Sequence, residues 1–77
     1  MNRAQRKKIE ELITGLEDIQ SQLEILAEEE QEKFENLPDS LQESEKGQQL
    51  EAVAESLNEQ ADVLLDVMGG LGEIIEA

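Results

Sequence analysis

Twenty of the 77 side chains are carboxylates, and no other group with chemistry to offer is comparably abundant. The chain has no His, Cys, Tyr or Trp. Acid–base or nucleophilic work would fall to Asp, Glu, Ser, Thr and Lys, with no loop segment to build a cleft and shift their pKa values. A hydrolytic pair of carboxylates needs a concave site that holds substrate between them. Nothing in the spacing supplies one, so no catalytic residue, no cofactor and no enzymatic activity are expected. Binding of Ca²⁺ or Mg²⁺ by Glu28-Glu29-Glu30, or by Glu43 and Glu45, would need convergent oxygens. Consecutive helical residues point in different directions, and the Asp/Asn-rich loop with a central Gly is missing. Zinc loses its usual ligands with Cys and His, so no metal site is expected.

The acidic groups that do form a pattern are Glu51, Glu55, Glu59, Asp62 and Asp66. They recur at three- and four-residue steps, opposite Leu50, Leu57 and Leu64. Such steps advance ~4.5–6 Å along a helix axis, near the scale on which phosphates follow one another along a nucleic-acid strand. The row is therefore the candidate partner-binding face, suited to a protein with a basic surface and able to imitate nucleic acid. A straight helix does not reproduce duplex curvature by itself, and the same row also serves solubility. Net charge is −14, and Arg3, Arg6, Lys7 and Lys8 are four of the six basic residues. The remainder, residues 9–77, carries −18. That balance repels nucleic acid and anionic membranes and attracts basic partners. The basic start is expected to pair locally, Arg6 or Lys7 with Glu10 or Glu11.

Two long helical runs must carry these groups, and the stretch Asn36-Leu37-Pro38-Asp39-Ser40-Leu41-Gln42-Glu43-Ser44 divides them. Pro38, the only proline, has no amide donor and biases Leu37 away from helix, so the first helix is expected over about 4–36 with a frayed start. The second helix restarts after a turn at about 37–43. Ser40 with Glu43 spells a capping box, and Ser44 is an alternative cap one turn on. In the first run Ile9, Leu12, Leu16, Ile19, Leu23 and Leu26 follow a strict 3-4 spacing, a coiled-coil seam flanked by Ile13 and Ile25. Continuing it would place Glu30 and Lys33 in the seam, so the stripe is expected to break near Glu28–Glu30 and shift through Ala27 to Phe34 and Leu37. In the second run Leu50, Ala54, Leu57, Ala61, Leu64, Met68, Leu71 and Ile75 alternate steps of four and three. Val53, Val67 and Ile74 widen that stripe, with Gln60 as the polar member of their row. Gly69 or Gly70 is expected to end the second helix near 68, with a short turn at 71–76. The alternative is a helix that continues to Glu76, since Leu71 and Ile75 stay in phase.

A single domain of this size has a core worth only ~3–5 kcal/mol and commonly needs a staple or a partner chain. With no disulfide possible, the expectation is an all-α antiparallel helical hairpin that dimerises, or assembles further, into a four-helix bundle. The oligomer seam is assigned to Leu12, Leu16, Ile19, Leu23, Leu57, Leu64 and Met68. No apolar run approaches ~18 residues and no signal-type apolar segment follows the basic start, so a cytoplasmic location is expected.

Residues 29–47 read E-E-Q-x-x-F-x-N-L-P-x-S-L-Q-x-S-x-x-G, from Glu29 through Phe34, Asn36, Leu37, Pro38, Ser40, Leu41, Gln42 and Ser44 to Gly47. This segment resembles the centre of small acidic helical proteins encoded by tailed phages and prophages, whose basic start and flanking amphipathic helices also fit. The resemblance implies a phage or mobile-element origin and a site of action in the host bacterial cytoplasm. It assigns no functional residue. Small acidic phage proteins are often inhibitors of host factors, including defence nucleases, and some mimic nucleic acid. The expected function is inhibition of a host protein through the acidic surface. The alternative is a structural or assembly accessory acting through a coiled-coil interface. Phe34, Leu37 and Leu41 are also expected to pack the closed end.

Overall fold

A computed structural model describes all residues, Met1–Ala77. The chain is all-helical, with α1 (Arg3–Glu35), α2 (Asp39–Gln42) and α3 (Glu45–Glu76). α1 and α3 pack lengthwise as an extended pair with Cα extents of 59 × 15 × 12 Å. The radius of gyration is 17.5 Å, against about 11–12 Å for a compact chain of this length. The pair is a rod.

α1 starts one residue earlier than the periodicity implies, because Asn2 caps it. The Asn2 side-chain oxygen accepts from the Gln5 amide at 2.8 Å, and the Gln5 side chain accepts from the Asn2 amide at 3.1 Å. This reciprocal box satisfies two orphan donors and closes the first turn that the sequence pattern leaves frayed. At the other end Pro38 acts as expected: α1 stops at Glu35, and the Asn36 and Leu37 amides donate to Glu32 and Phe34 carbonyls at 2.9 and 3.1 Å.

The turn differs from the Ser40–Glu43 box. Residues 39–42 form the single turn α2, in which the Leu41 and Gln42 amides donate to the Pro38 carbonyl at 2.8 and 3.1 Å, without a side-chain cap. Ser44 is the cap that starts α3, its hydroxyl oxygen accepting from the Gly47 amide at 3.3 Å. The Gln42 side chain folds back and donates to the carbonyls of Leu37 and Glu35 at 3.2 and 3.4 Å, tying the two ends of the turn.

α3 does not break at Gly69-Gly70. It runs to Glu76, and no glycine adopts a positive φ. Each glycine costs about 1 kcal/mol against Ala in a helix interior. Leu71 and Ile75 remain half-buried against α1, and tertiary packing of this kind is what sustains most protein helices.

The seam between the helices is regular. Along the first arm the buried or half-buried positions are Ile9, Ile13, Leu16, Gln20, Leu23, Ala27, Glu30, Gln31, Phe34 and Leu37, stepping by four and three apart from the adjacent pair Glu30 and Gln31. On α3 they are Gly47, Leu50, Ala54, Leu57, Ala61, Leu64, Met68, Leu71, Gly72 and Ile75. The α3 seam matches its sequence pattern. The α1 seam does not: Leu12, Ile19 and Leu26 stay 50%, 49% and 47% exposed, while Ile13, Gln20 and Ala27 face α3. Both stripes share Ile9, Leu16 and Leu23 and differ only in the accompanying flank. Ala54 and Ala61, buried on α3, let the backbones approach, which favours small or flexible side chains opposite them. In this phase no break occurs at Glu28–Glu30. Glu30 sits in the seam and pairs with Lys33 at 2.8 Å.

Candidate functional site

The five carboxylates of the acidic row, Glu51, Glu55, Glu59, Asp62 and Asp66, are all exposed on α3. From Glu51 to Asp66 the row climbs about 22 Å. None of its members makes a hydrogen bond or ion pair, since the one salt bridge in the molecule is Lys33–Glu30. Arg6 and Lys7 therefore do not pair with Glu10 or Glu11. The Lys33 ammonium is held above the ordinary lysine range by its hydrogen bond to Glu30 and by the charge of that carboxylate. α1 carries a further acidic set: Glu10, Glu17 and Glu24 recur every seven residues, and all are exposed. No group of three or more acidic side chains converges closely enough to hold a metal ion.

The one hollow in the surface lies where the start of α1 meets the end of α3. Arg3, Arg6, Lys7, Glu10 and Ile75 line it. It is open and nearly all its walls are flexible charged chains, so it offers no enclosed place for a substrate. No helix is long and apolar enough to cross a membrane.

Of the residues assigned to the oligomer seam, Leu16, Leu23, Leu57, Leu64 and Met68 lie half-buried between α1 and α3, and Leu12 and Ile19 lie outside it. The structure thus separates one expected surface into two. An inner seam holds the pair together. A second set of apolar residues flanks it: Leu12, Ile19 and Leu26 on α1, with Val53, Val67 and Ile74 on α3 at 46%, 44% and 48% exposure. Each stands one position before a seam residue and recurs at seven or a multiple of seven. Two helices that face each other and run in opposite directions are related by a two-fold axis normal to their common plane, so equivalent flanking rows fall on the same side. In an antiparallel pair the apolar rows make one face. On the opposite side Glu10, Glu17 and Glu24 lie with Glu51. The seven-residue recurrence of Leu12, Ile19 and Leu26 was visible in the sequence, but not which flank would face α3.

Comparison with known proteins finds no matching family model, no matching curated protein and no matching solved structure.

Proposed function

We propose that the protein is a small acidic binding protein that inhibits a basic, nucleic-acid-binding host protein by presenting its acidic helical surface, and that it does so as an antiparallel hairpin paired into a four-helix bundle. The observation that carries this reading is the charge carried along a straight rod. A net −14 over 59 Å is one charge per about 4 Å. Two rods side by side carry −28 over the same length, one per about 2 Å, where duplex DNA carries one per about 1.7 Å. A paired rod thus approaches the linear charge density of a duplex, and it is this field that a basic cleft reads first. The resemblance of residues 29–47 to phage proteins supports a host protein as the target.

The test is capture of bacterial proteins on the tagged chain at low salt, followed by stepped salt elution. A nucleic-acid-binding protein should be enriched, leave as salt screens the charge, and be displaced by added DNA or RNA. The variant Glu55→Lys/Glu59→Lys/Asp62→Lys should lose it while keeping its helical circular dichroism. Unchanged binding by that variant defeats the proposal. A second reading, an assembly accessory, is favoured by the exposed apolar face, and it is recognised by a helical partner that stays bound at high salt.

A further inference from the structure

We infer that the face formed by Leu12, Ile19, Leu26, Val53, Val67 and Ile74 is the surface that a second copy of this chain covers. The inference rests on the four-helix-bundle reading and adds to it the face that pairs. Surface area argues for an occupant. A compact monomer of 8.6 kDa exposes about 4,700 Å², whereas this chain exposes 5716 Å² and has no large side chain fully buried. The excess is about 1,000 Å² per copy, near the ~800 Å² that each partner contributes to a stable interface.

The face has the dimensions to use that excess. With Arg6 and Lys7 beside Ile75, the two rows interleave from Ile74 to Val53 along about 32 Å. At about 20 Å across two helices, this is roughly 600 Å² in plan, or ~1,200 Å² for two copies, the lower limit for a specific interface. Gln60 is the single polar interruption. Toward the turn the same two rows continue as Lys33 and Lys46, the only basic residues outside the N-terminal segment, so the apolar strip ends in a charged rim.

Charge chooses this face over its opposite. Two copies of net −14 repel, and pairing through the other side would bring Glu10, Glu17, Glu24 and Glu51 of each copy together. Pairing through the apolar face buries no carboxylate and sets those sides farthest apart. A two-fold pair of identical faces also closes on itself, leaving no apolar strip to drive further growth.

Sedimentation equilibrium of the full chain at micromolar concentration should give a dimer of twice 8.6 kDa. Ile19→Glu/Val67→Glu should give a helical monomer, with the dissociation constant raised at least about a hundredfold. Ile25→Glu and Leu65→Glu, equally exposed but off the face, should leave the mass unchanged. Since the chain has no cysteine, thiol labelling supplies a reading that does not depend on a disruptive variant: Val67→Cys should label more slowly as concentration rises, and Leu65→Cys should not. A dimeric wild type whose Val67→Cys labelling ignores concentration overturns the face and leaves the bundle standing. A monomeric wild type overturns the bundle, and capture of a different helical protein by the apolar face then assigns that face to a heterologous partner.

Discussion

Substituting Gly47 by Ala should destabilise the fold, although alanine is the better helix former. A Cβ built on Gly47 falls 2.3 Å from the Gln42 carbonyl oxygen, 2.6 Å from that of Leu41 and 2.7 Å from the Gln42 carbonyl carbon. All three are backbone atoms at the end of α2, so no rotamer change relieves the clash and the turn has to move as a body. Overpacking of a tight site costs ~1–3 kcal/mol, and a clash this close belongs at the upper end. Alanine returns ~1 kcal/mol through helix propensity, which leaves a net loss of ~2 kcal/mol. Gly70 is the control. It lies in the same helix with open space where its Cβ would go, so Gly70→Ala should gain ~0.5–1 kcal/mol. With a urea slope of ~1 kcal/mol/M for a small chain, the Gly47→Ala midpoint should fall by ~2 M and the Gly70→Ala midpoint rise by ~0.5–1 M. Both are read by helical circular dichroism at one fixed protein concentration, because association shifts apparent stability. A Gly47→Ala midpoint equal to or above wild type would refute the reasoning, since it would mean that α2 does not lie against the start of α3.

Three further outcomes are expected. Gln20 is buried in the seam at 9% exposure and spends its side-chain hydrogen bond on Glu24 at 2.7 Å; Gln20→Leu should raise the urea midpoint by ~1 M, while a loss of dispersion in its NMR spectrum would show that the glutamine fixes register. Glu30→Gln should bring the Lys33 ammonium titration back down toward the ordinary lysine range, followed by NMR. Because that ammonium is held high in the folded state, the pair contributes stability below the ordinary lysine range, and the contribution disappears as pH rises through the folded value. The difference between Lys33→Met and wild type should therefore vanish in strong alkali; a difference that grows there would contradict the sign. Finally, with −14 on a rod, raising salt from low to physiological levels should raise the melting temperature, whereas a fall would show that attractive pairs outweigh self-repulsion.

The helices, the break at Pro38 and the α3 seam could be read from the sequence, because each rests on a local rule: a missing amide, or a strict four-three alternation. The phase of α1 could not. Leu12, Ile19 and Leu26 are more apolar than Ile13, Gln20 and Ala27 taken together, so hydrophobicity alone favours the flank over the true seam. What reverses the choice lies elsewhere in the chain, in the small residues Ala54 and Ala61 that α3 presents. The start of α3 is similarly decided by geometry. Ser40 and Ser44 both precede suitable residues, but Pro38 donates no amide and its carbonyl collects two, which uses residues 39–42 for a turn of their own. The acidic row needed no such information, since its exposure follows once Leu50, Leu57 and Leu64 face inward.

The rod shape also dictates an order of assembly. Near the turn, residues that meet across the seam are about ten apart in sequence; at the far end, where Arg6 meets Ile75, they are about seventy apart. Closing the longer loop first would cost ~1.7 kcal/mol more in chain entropy than closing the shorter one. Folding is therefore expected to zip from residues 36–44 outward, each heptad of contacts shortening the loop that the next must close. The last section to zip contains Gly69, Gly70 and Gly72, the weakest helical stretch in the chain. Thermal opening runs the same course backward, so the basic start and the glycine-rich end part first and amide exchange is fastest there. The turn, tied by the hydrogen bonds of Pro38, Gln42 and Ser44, is expected to be the last part to open.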